Sequence, residues 1–238
     1  MQLPAGLEIT FIGHSSFRLR TPEDKIVYID AWLRENPVAP EELKFVDRAD
    51  VFLVTHGHGD HLDPDLADIA KRTGAKVVAP HPVGAYLRSK GFDGLEMLQN
   101  GGTINVGGVK VTMTQAFHAS QINTPEGPAF PHAAVGYVVE VAPGFRVYHA
   151  GDTGIFTDMQ LIGDIYHPQV SMLPIGDRAT MGPLQAFHAM RMLQSPVVIP
   201  IHHSTFPMLT GTPQEFRELI KGLPGTEVRE MAAGETWK

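Results

Sequence analysis

The sequence predicts an α/β protein in which two sheets lie together with helices packed outside them. Three observations carry that expectation. Apolar runs of strand length recur along the whole chain, and one of them, Val51–Thr55, is apolar enough to be buried on both faces. Beyond it, strand-like runs alternate with segments of helical character that have their own start and stop signals. No composition shift, low-complexity linker or repeat divides the 238 residues. Residues 1–238 are therefore expected as a single domain, and two covered sheets bury this many strands economically.

Glu8–Ile12, Ser16–Arg20 and Ile26–Asp30 carry β-branched and aromatic residues between turns and read as strands. After Val51–Thr55, Asp63 is placed to cap a helix that begins at Pro64, runs to about Arg72 and ends at Gly74. Lys76–Ala79 resumes a strand, and Pro82–Lys90 forms a second helix closed by Gly91. Glu96–Leu98, Thr103–Val106 and Val109–Phe117 follow as strands, the last two joined through a Gly107-Gly108 hairpin signal. The Pro-rich stretch Thr124–Pro131 is expected as a loop able to act as a lid. Val135–Val141 and Phe145–His149 make a hairpin across Ala142-Pro143-Gly144. Met159–Tyr166 is a short helix, Val170–Pro174 a strand, Pro183–Leu193 an amphipathic helix opened by proline, and Val197–Ile201 a strand. Thr212-Pro213-Gln214-Glu215 is a capping box for a last helix reaching about Lys221.

Bulk properties exclude several classes. Hydrophobic residues make up 43% of the chain, yet no run approaches the ~18 apolar residues of a membrane span, so no membrane partner is expected. Met1-Gln2-Leu3-Pro4-Ala5-Gly6 has neither the basic start nor the apolar stretch of a secretion signal, which points to a cytoplasmic protein. A compact chain of this size removes roughly 70–75% of its unfolded surface from water, enough for a core without staples. There is no cysteine, so disulfides, zinc–thiolate sites and cysteine nucleophiles are excluded together. A soft metal would have to use histidine and carboxylate. A formal charge of −7 with no basic run argues against nucleic acid, though not against a small anionic substrate beside a cationic centre.

The chemistry concentrates in Thr55-His56-Gly57-His58-Gly59-Asp60-His61, directly after a buried strand. Burying unpaired imidazoles and a carboxylate would cost several kcal/mol, roughly, whereas a cation satisfies them. On an extended turn alternate residues face one way, so His56 and His58 can share one ion while Asp60 and His61 reach a second. The plain alternative is a polar surface loop, which the density of ligands and the strand-then-helix context disfavour. Further ligands are needed, because zinc usually takes four and a catalytic site keeps one position for water. Three candidates stand at later strand ends: His118, Asp152 in His149-Ala150-Gly151-Asp152-Thr153-Gly154, and His202.

These residues, in this order, resemble the metallo-β-lactamase superfamily over nearly the whole chain. Ile12-Gly13-His14-Ser15-Ser16, Pro174-Ile175-Gly176 with Thr180-Met181-Gly182-Pro183, and Pro200-Ile201-His202-His203-Ser204-Thr205-Phe206-Pro207 look like a narrower branch of predicted metal-dependent hydrolases. That branch is related to L-ascorbate-6-phosphate lactonase and to phospholipases of the N-acyl-phosphatidylethanolamine type. The resemblance implies a four-layer αββα sandwich with the site on one edge. It further implies one metal on His56, His58 and His118, a second on Asp60, His61 and His202, and Asp152 bridging them. Asp30 resembles the carboxylate that orients a ligand histidine. Two departures stand out: Ala31 where relatives often have proline, and Asp177-Arg178 where they carry glycine followed by asparagine or histidine. The second touches substrate identity more than metal binding.

Two divalent ions roughly 3.5–4 Å apart would hold a bridging hydroxide, nucleophilic near neutral pH, against a phosphorus or carbonyl centre. Zinc or manganese suits these ligands best, with nickel or iron as alternatives. Asp60 would orient that hydroxide, and His14 is the first candidate for the donor to the leaving group, with a structural histidine as the equal alternative. Arg178 is a candidate for an anionic substrate group, against a surface pair with Asp177. Ser120 and Ser204 are candidate pocket residues, and His203 is the alternative to His202. His81, His132, His149, His167 and His188 are expected as structural or exposed, His132 being the first to reconsider. The leading function is hydrolysis of a phosphodiester or a cyclic ester in a small-molecule substrate. A β-lactam hydrolase, a diiron redox protein and a non-catalytic metal-binding scaffold are the alternatives. Against them stand, in turn, the carboxylate at Asp152, the imidazole at His58 where a diiron centre wants a carboxylate, and the completeness of the ligand set. Homo-oligomerisation is open.

Overall fold

The structure, a computed structural model, describes all 238 residues. In chain order its strands are β1 (Glu8–Gly13), β2 (Ser16–Arg20), β3 (Ile26–Ile29), β4 (Val51–Leu53), β5 (Lys76–Pro80), β6 (Leu95–Leu98), β7 (Thr103–Val106), β8 (Val109–Thr124), β9 (Gly127–Ala142), β10 (Phe145–His149), β11 (Val170–Pro174), β12 (Val197–Ile201), β13 (Glu227–Val228) and β14 (Thr236–Trp237). The helices are α1 (Leu66–Thr73), α2 (His81–Ser89), α3 (Met159–Tyr166), α4 (Pro183–Leu193) and α5 (Pro213–Ile220). One seven-stranded sheet runs β14-β1-β2-β3-β4-β5-β6 and the other β13-β12-β11-β10-β9-β8-β7.

Alternation along each strand explains the layers. In β3 and β4, Val27, Ile29, Val51 and Leu53 face the second sheet, where Val111, Val139, Val147, Met172 and Ile199 meet them in one core. Their neighbours Tyr28 and Phe52 point the other way, onto Leu66 and Ala70 of α1 and Val83 and Leu87 of α2. The second sheet does the same with Tyr148, Leu173 and Val198, which pack under α3, α4 and α5 through Met159, Met190 and Phe216. The result is the αββα sandwich. Strands with apolar residues on both faces are what a sheet covered on both sides requires.

Differences from the sequence expectation have identifiable causes. Asp63 does not open α1; its carboxylate accepts from Leu33 N, Arg34 N and Asp65 N at 2.8–2.9 Å, so residues 63–65 form a turn that ties two loops together. The stretch Thr124–Pro131 is not a loop. Strands β8 and β9 continue pairing to Thr124 and Gly127, leaving a two-residue turn at the tip of a long hairpin arm. Strands β13 and β14, two residues each, are too short to leave a periodicity in the sequence. No helix is long and apolar enough to cross a membrane.

Candidate metal centre

The site assembles where strands of both sheets end. His14 follows β1, Asp30 follows β3, and His202 follows β12, all three in the left-handed region with φ of 60°, 46° and 53°. Non-glycine residues held there cost of order 1–3 kcal/mol each and persist where surrounding contacts over-determine them. Gly151 (φ 63°) after β10 turns the chain so that Asp152 points inward, and a side chain there would collide with the Val135 carbonyl. His149 braces that turn: its Nδ1 accepts from Gly151 N at 3.1 Å while Nε2 donates to Ser15 O at 2.9 Å.

His118 arrives differently. It sits inside β8, not at its end, at a bulge between the pairs Gln115–Val135 and Ala119–Ala133. A bulge turns a strand residue off its normal face. The bulge is pinned by Phe117 N donating to Thr153 Oγ1 at 2.9 Å and Gly154 N donating to Phe117 O at 3.1 Å.

Three imidazoles converge in one group: His56 Nε2 and His118 Nε2 lie 3.1 and 3.2 Å from His58 Nδ1. Zn–N bonds of ~2.05 Å at tetrahedral angles set ligand nitrogens about 3.3 Å apart. A second group joins Asp60, His61, His202 and His14. Asp152 lies between the groups. Its Oδ2 is 3.1 Å from His202 Nε2 and 3.8 Å from both His56 Nε2 and His118 Nε2, and its Oδ1 is 3.3 Å from His61 Nε2. His61 Nε2 and Asp152 Oδ1 are buried without a hydrogen-bond partner despite that proximity. Buried polar atoms are nearly always satisfied, and lone pairs aimed at a shared point are what a divalent cation would satisfy. The donor set, imidazole and carboxylate without thiolate, fits zinc, manganese or a similar ion.

Behind these atoms runs a chain of hydrogen bonds. Asp30, fully buried, accepts from Thr55 N at 2.7 Å, Thr55 Oγ1 at 2.6 Å and His61 Nδ1 at 2.8 Å. Because the Thr55 hydroxyl donates its hydrogen bond to Asp30, its oxygen accepts from His56 Nδ1 at 2.9 Å. Both ring orientations are thereby set, with each Nε2 facing Asp152. The threonine before the first histidine thus links Asp30 to His56, and only its position in the motif could have flagged it.

The electrostatics follow from packing. Burial would lower His61, but the carboxylates of Asp152 and Asp30 outweigh it and hold the ring well above its usual value. Burial and the neighbouring His61 push His56 well below. Asp152 is held well below the carboxylate range, because His61 and His202 overcome the cost of burying it. Asp60 is lowered too, the His14 hydrogen bond and His61 outweighing burial.

The remaining sequence candidates divide. His202 joins the cluster, whereas His203 bonds Ser204 Oγ through Nδ1 at 3.0 Å. His14 has no exposed side-chain surface; Nε2 is 3.2 Å from Asp60 Oδ2 and Nδ1 3.0 Å from Thr205 Oγ1. Burial lowers its pKa to about 4. Ser120 accepts from Gly57 N at 3.1 Å, and His132 Nε2 accepts from the same N–H at 3.1 Å while Nδ1 donates to Phe130 O. The hairpin arm therefore grips the backbone between His56 and His58, and a side chain at Gly57 would strike Ile122. Arg178 and Ser204 are solvent-exposed and lie outside the cleft over the cluster, as does Ser120.

Two facing sheets with a histidine–carboxylate cluster at their strand ends are the architecture of a metal-dependent hydrolase, and the comparisons agree. Residues 25–203 match the β-lactamase superfamily domain. The chain is 48% identical over 236 residues to a UPF0173 metal-dependent hydrolase of Rubrobacter xylanophilus, covering 98% of this chain and 97% of the relative. It is 43% identical over 232 residues to one of Koribacter versatilis, covering 98% of each. Among solved structures, Igni18, a metallo hydrolase from the hyperthermophilic archaeon Ignicoccus hospitalis, matches with a TM-score of 0.84 at 34% identity, covering 97% of each chain. The chain belongs to the metallo-β-lactamase superfamily, among the UPF0173 metal-dependent hydrolases.

Proposed function

We propose that the protein hydrolyses a small-molecule phosphodiester or cyclic ester with two divalent cations, zinc or manganese. His56, His58 and His118 would hold one, Asp60, His61 and His202 the other, and Asp152 would lie between them. The observation that carries this reading is the position of Asp152, whose Oδ2 is within 3.8 Å of a nitrogen from each group. When bound, such a pair lowers the pKa of water and stabilises charge growing on the attacked group. Asp60 lines the cleft with 27% of its side chain exposed, placed to orient the attacking water, take its proton and pass it to the leaving oxygen. His14 serves as a positioning residue and not as the donor to the leaving group. Sealed from solvent, it spends both ring nitrogens on Asp60 and Thr205. Asp30 and Thr55 keep His61 and His56 in the orientation and tautomer that ligation needs. A chain without cysteine suits a reducing, cytoplasmic setting.

The test is metal content by mass spectrometry together with turnover of bis-p-nitrophenyl phosphate and a lactone, on native protein and Asp152→Ala. About two ions per chain, with occupancy and turnover both falling in the variant, supports the reading. Native protein that neither carries nor takes up zinc or manganese would sink it.

A further inference from the structure

The cleft above the cluster has two unlike surfaces. Its floor is His58, Asp60, His118, Asp152 and His202; its wall is Ala179, Phe206, Pro207, Met208 and Leu209. The cavity measures about 500 Å³, within the range that encloses a drug-sized molecule. No lysine or arginine lines it, and Arg178, next to Ala179, is solvent-exposed.

The wall is a built feature. Thr205, just before it, is bonded to His14, and Leu209 N donates to Phe206 O at 3.0 Å. Phe206 packs its ring 5.6 Å from that of His14 and 6.1 Å from that of Trp32. Met208 keeps 53% of its surface exposed at the lip. An exposed methionine beside buried ligands is apolar surface waiting for something to cover it.

We infer that the substrate is an uncharged carboxylic ester or lactone whose apolar arm lies on the Phe206–Leu209 wall. This rests on the hydrolytic reading above and chooses within it. A substrate with a remote phosphate would bury that charge against apolar side chains with no cation to meet it. A neutral ester brings no charge beyond what develops at the reacting centre, where the cations that the floor residues would hold would meet it. In the reaction the water oxygen bonds to the acyl carbon and the acyl C–O bond to the alkoxy group breaks. The alkoxy oxygen leaves with one water proton, giving a carboxylic acid and an alcohol, or one hydroxy acid from a lactone.

The experiment uses the zinc-loaded full chain with p-nitrophenyl esters from acetate to octanoate, alkyl-substituted δ-lactones, and bis-p-nitrophenyl phosphate. Burial of each methylene is expected to raise kcat/KM about fourfold until the wall is covered. Met208→Ser, at an exposed position the fold tolerates, should roughly halve the logarithmic slope. A profile flat in chain length, or faster turnover of the phosphodiester than of the longer esters, overturns the inference while leaving the hydrolase reading intact. If neither an ester, a lactone nor the phosphodiester is cleaved, the hydrolytic reading fails, and calorimetry with n-alkyl carboxylates from acetate to octanoate decides the wall. Affinity rising about fourfold per methylene and weakened by Met208→Ser supports it; affinity independent of length overturns it.

Discussion

The two halves of the cluster are built to different standards of rigidity. His61 and His202 are buried, Asp30 holds His61 from behind, and His14 packs 4.1 Å from the His202 ring while bonding Asp60. In the other half only His56 is sealed, through Thr55; His58 rides on a glycine-flanked loop, and His118 comes from a bulged hairpin arm. The inner half is pre-organised by the sandwich, whereas the outer half depends on elements reaching in from its edge. Ligand atoms positioned without metal cost less to order on binding, so the inner half is expected to take the tighter ion.

Asp152→Ala should give the largest effect, because it removes the one carboxylate shared by both halves. Both ion equivalents should weaken, and kcat/KM should fall by about 10³-fold, several kcal/mol of lost charge stabilisation. Loss of a single equivalent in metal analysis would show that the halves are independent.

Asp30→Asn and His118→Ala separate them. Losing a partner behind a ligand typically costs 10–100-fold in metal affinity. Asp30→Asn should therefore weaken the tighter equivalent in a competitive chelator titration, while His118→Ala weakens the other. The reverse assignment would invert the comparison.

Metal-free protein should report the burial of the inner half through pH. His14 is lowered to about 4, so between its ordinary value of 6.5 and 4 the unfolded chain carries the proton and the folded one does not. Its contribution is whole above pH 6.5 and is lost as pH falls toward 4, of order 3 kcal/mol at most. His61, raised by Asp152 and Asp30, runs oppositely: its contribution is present below 6.5 and lost as pH rises through its folded value. Urea midpoints at pH 7, 5.5 and 4.5 should drop less steeply in His14→Gln than in the native chain. Parallel slopes would mean that the ring is protonated or hydrated in the folded state.

The smallest effect belongs to the hairpin arm. Gly57 N–H has two acceptors, so Ser120→Ala or His132→Phe alone should cost about 1 kcal/mol or less. The double variant should exceed the sum, since it leaves that N–H unsatisfied, and should weaken the outer ion more than the inner. Additive losses would show that the arm does not act on the loop through this N–H.

Much of this was legible in the chain because it is local. Four candidate ligands within Thr55–His61 need no distant partner to be picked out. The doubly apolar strands announced a covered sheet, and the capping box at Thr212 placed α5 with its cap intact. Asp152 and His202 could be picked out as strand-end residues. The residues that hold ligands in place were harder. Thr55 and Thr205 look like ordinary polar residues until the fold brings Asp30 and His14 against them, and His132, singled out for its place beside the Pro-rich stretch, shows its role only when Gly57 meets it. Asp63 reads as a helix cap because an aspartate before proline satisfies that pattern, while two of its three partners lie about thirty residues upstream.

The sequence by itself determined which residues could bind a cation and which faces of each strand must be buried, since both depend on side-chain type and short periodicities. Only the tertiary structure decided that a bulge turns His118 inward, that His14 spends its ring on Asp60 and Thr205, and that Phe206–Leu209 walls the cleft. Those outcomes depend on where two sheets bring their edges together, and contacts between residues far apart in the chain leave no periodic trace in it.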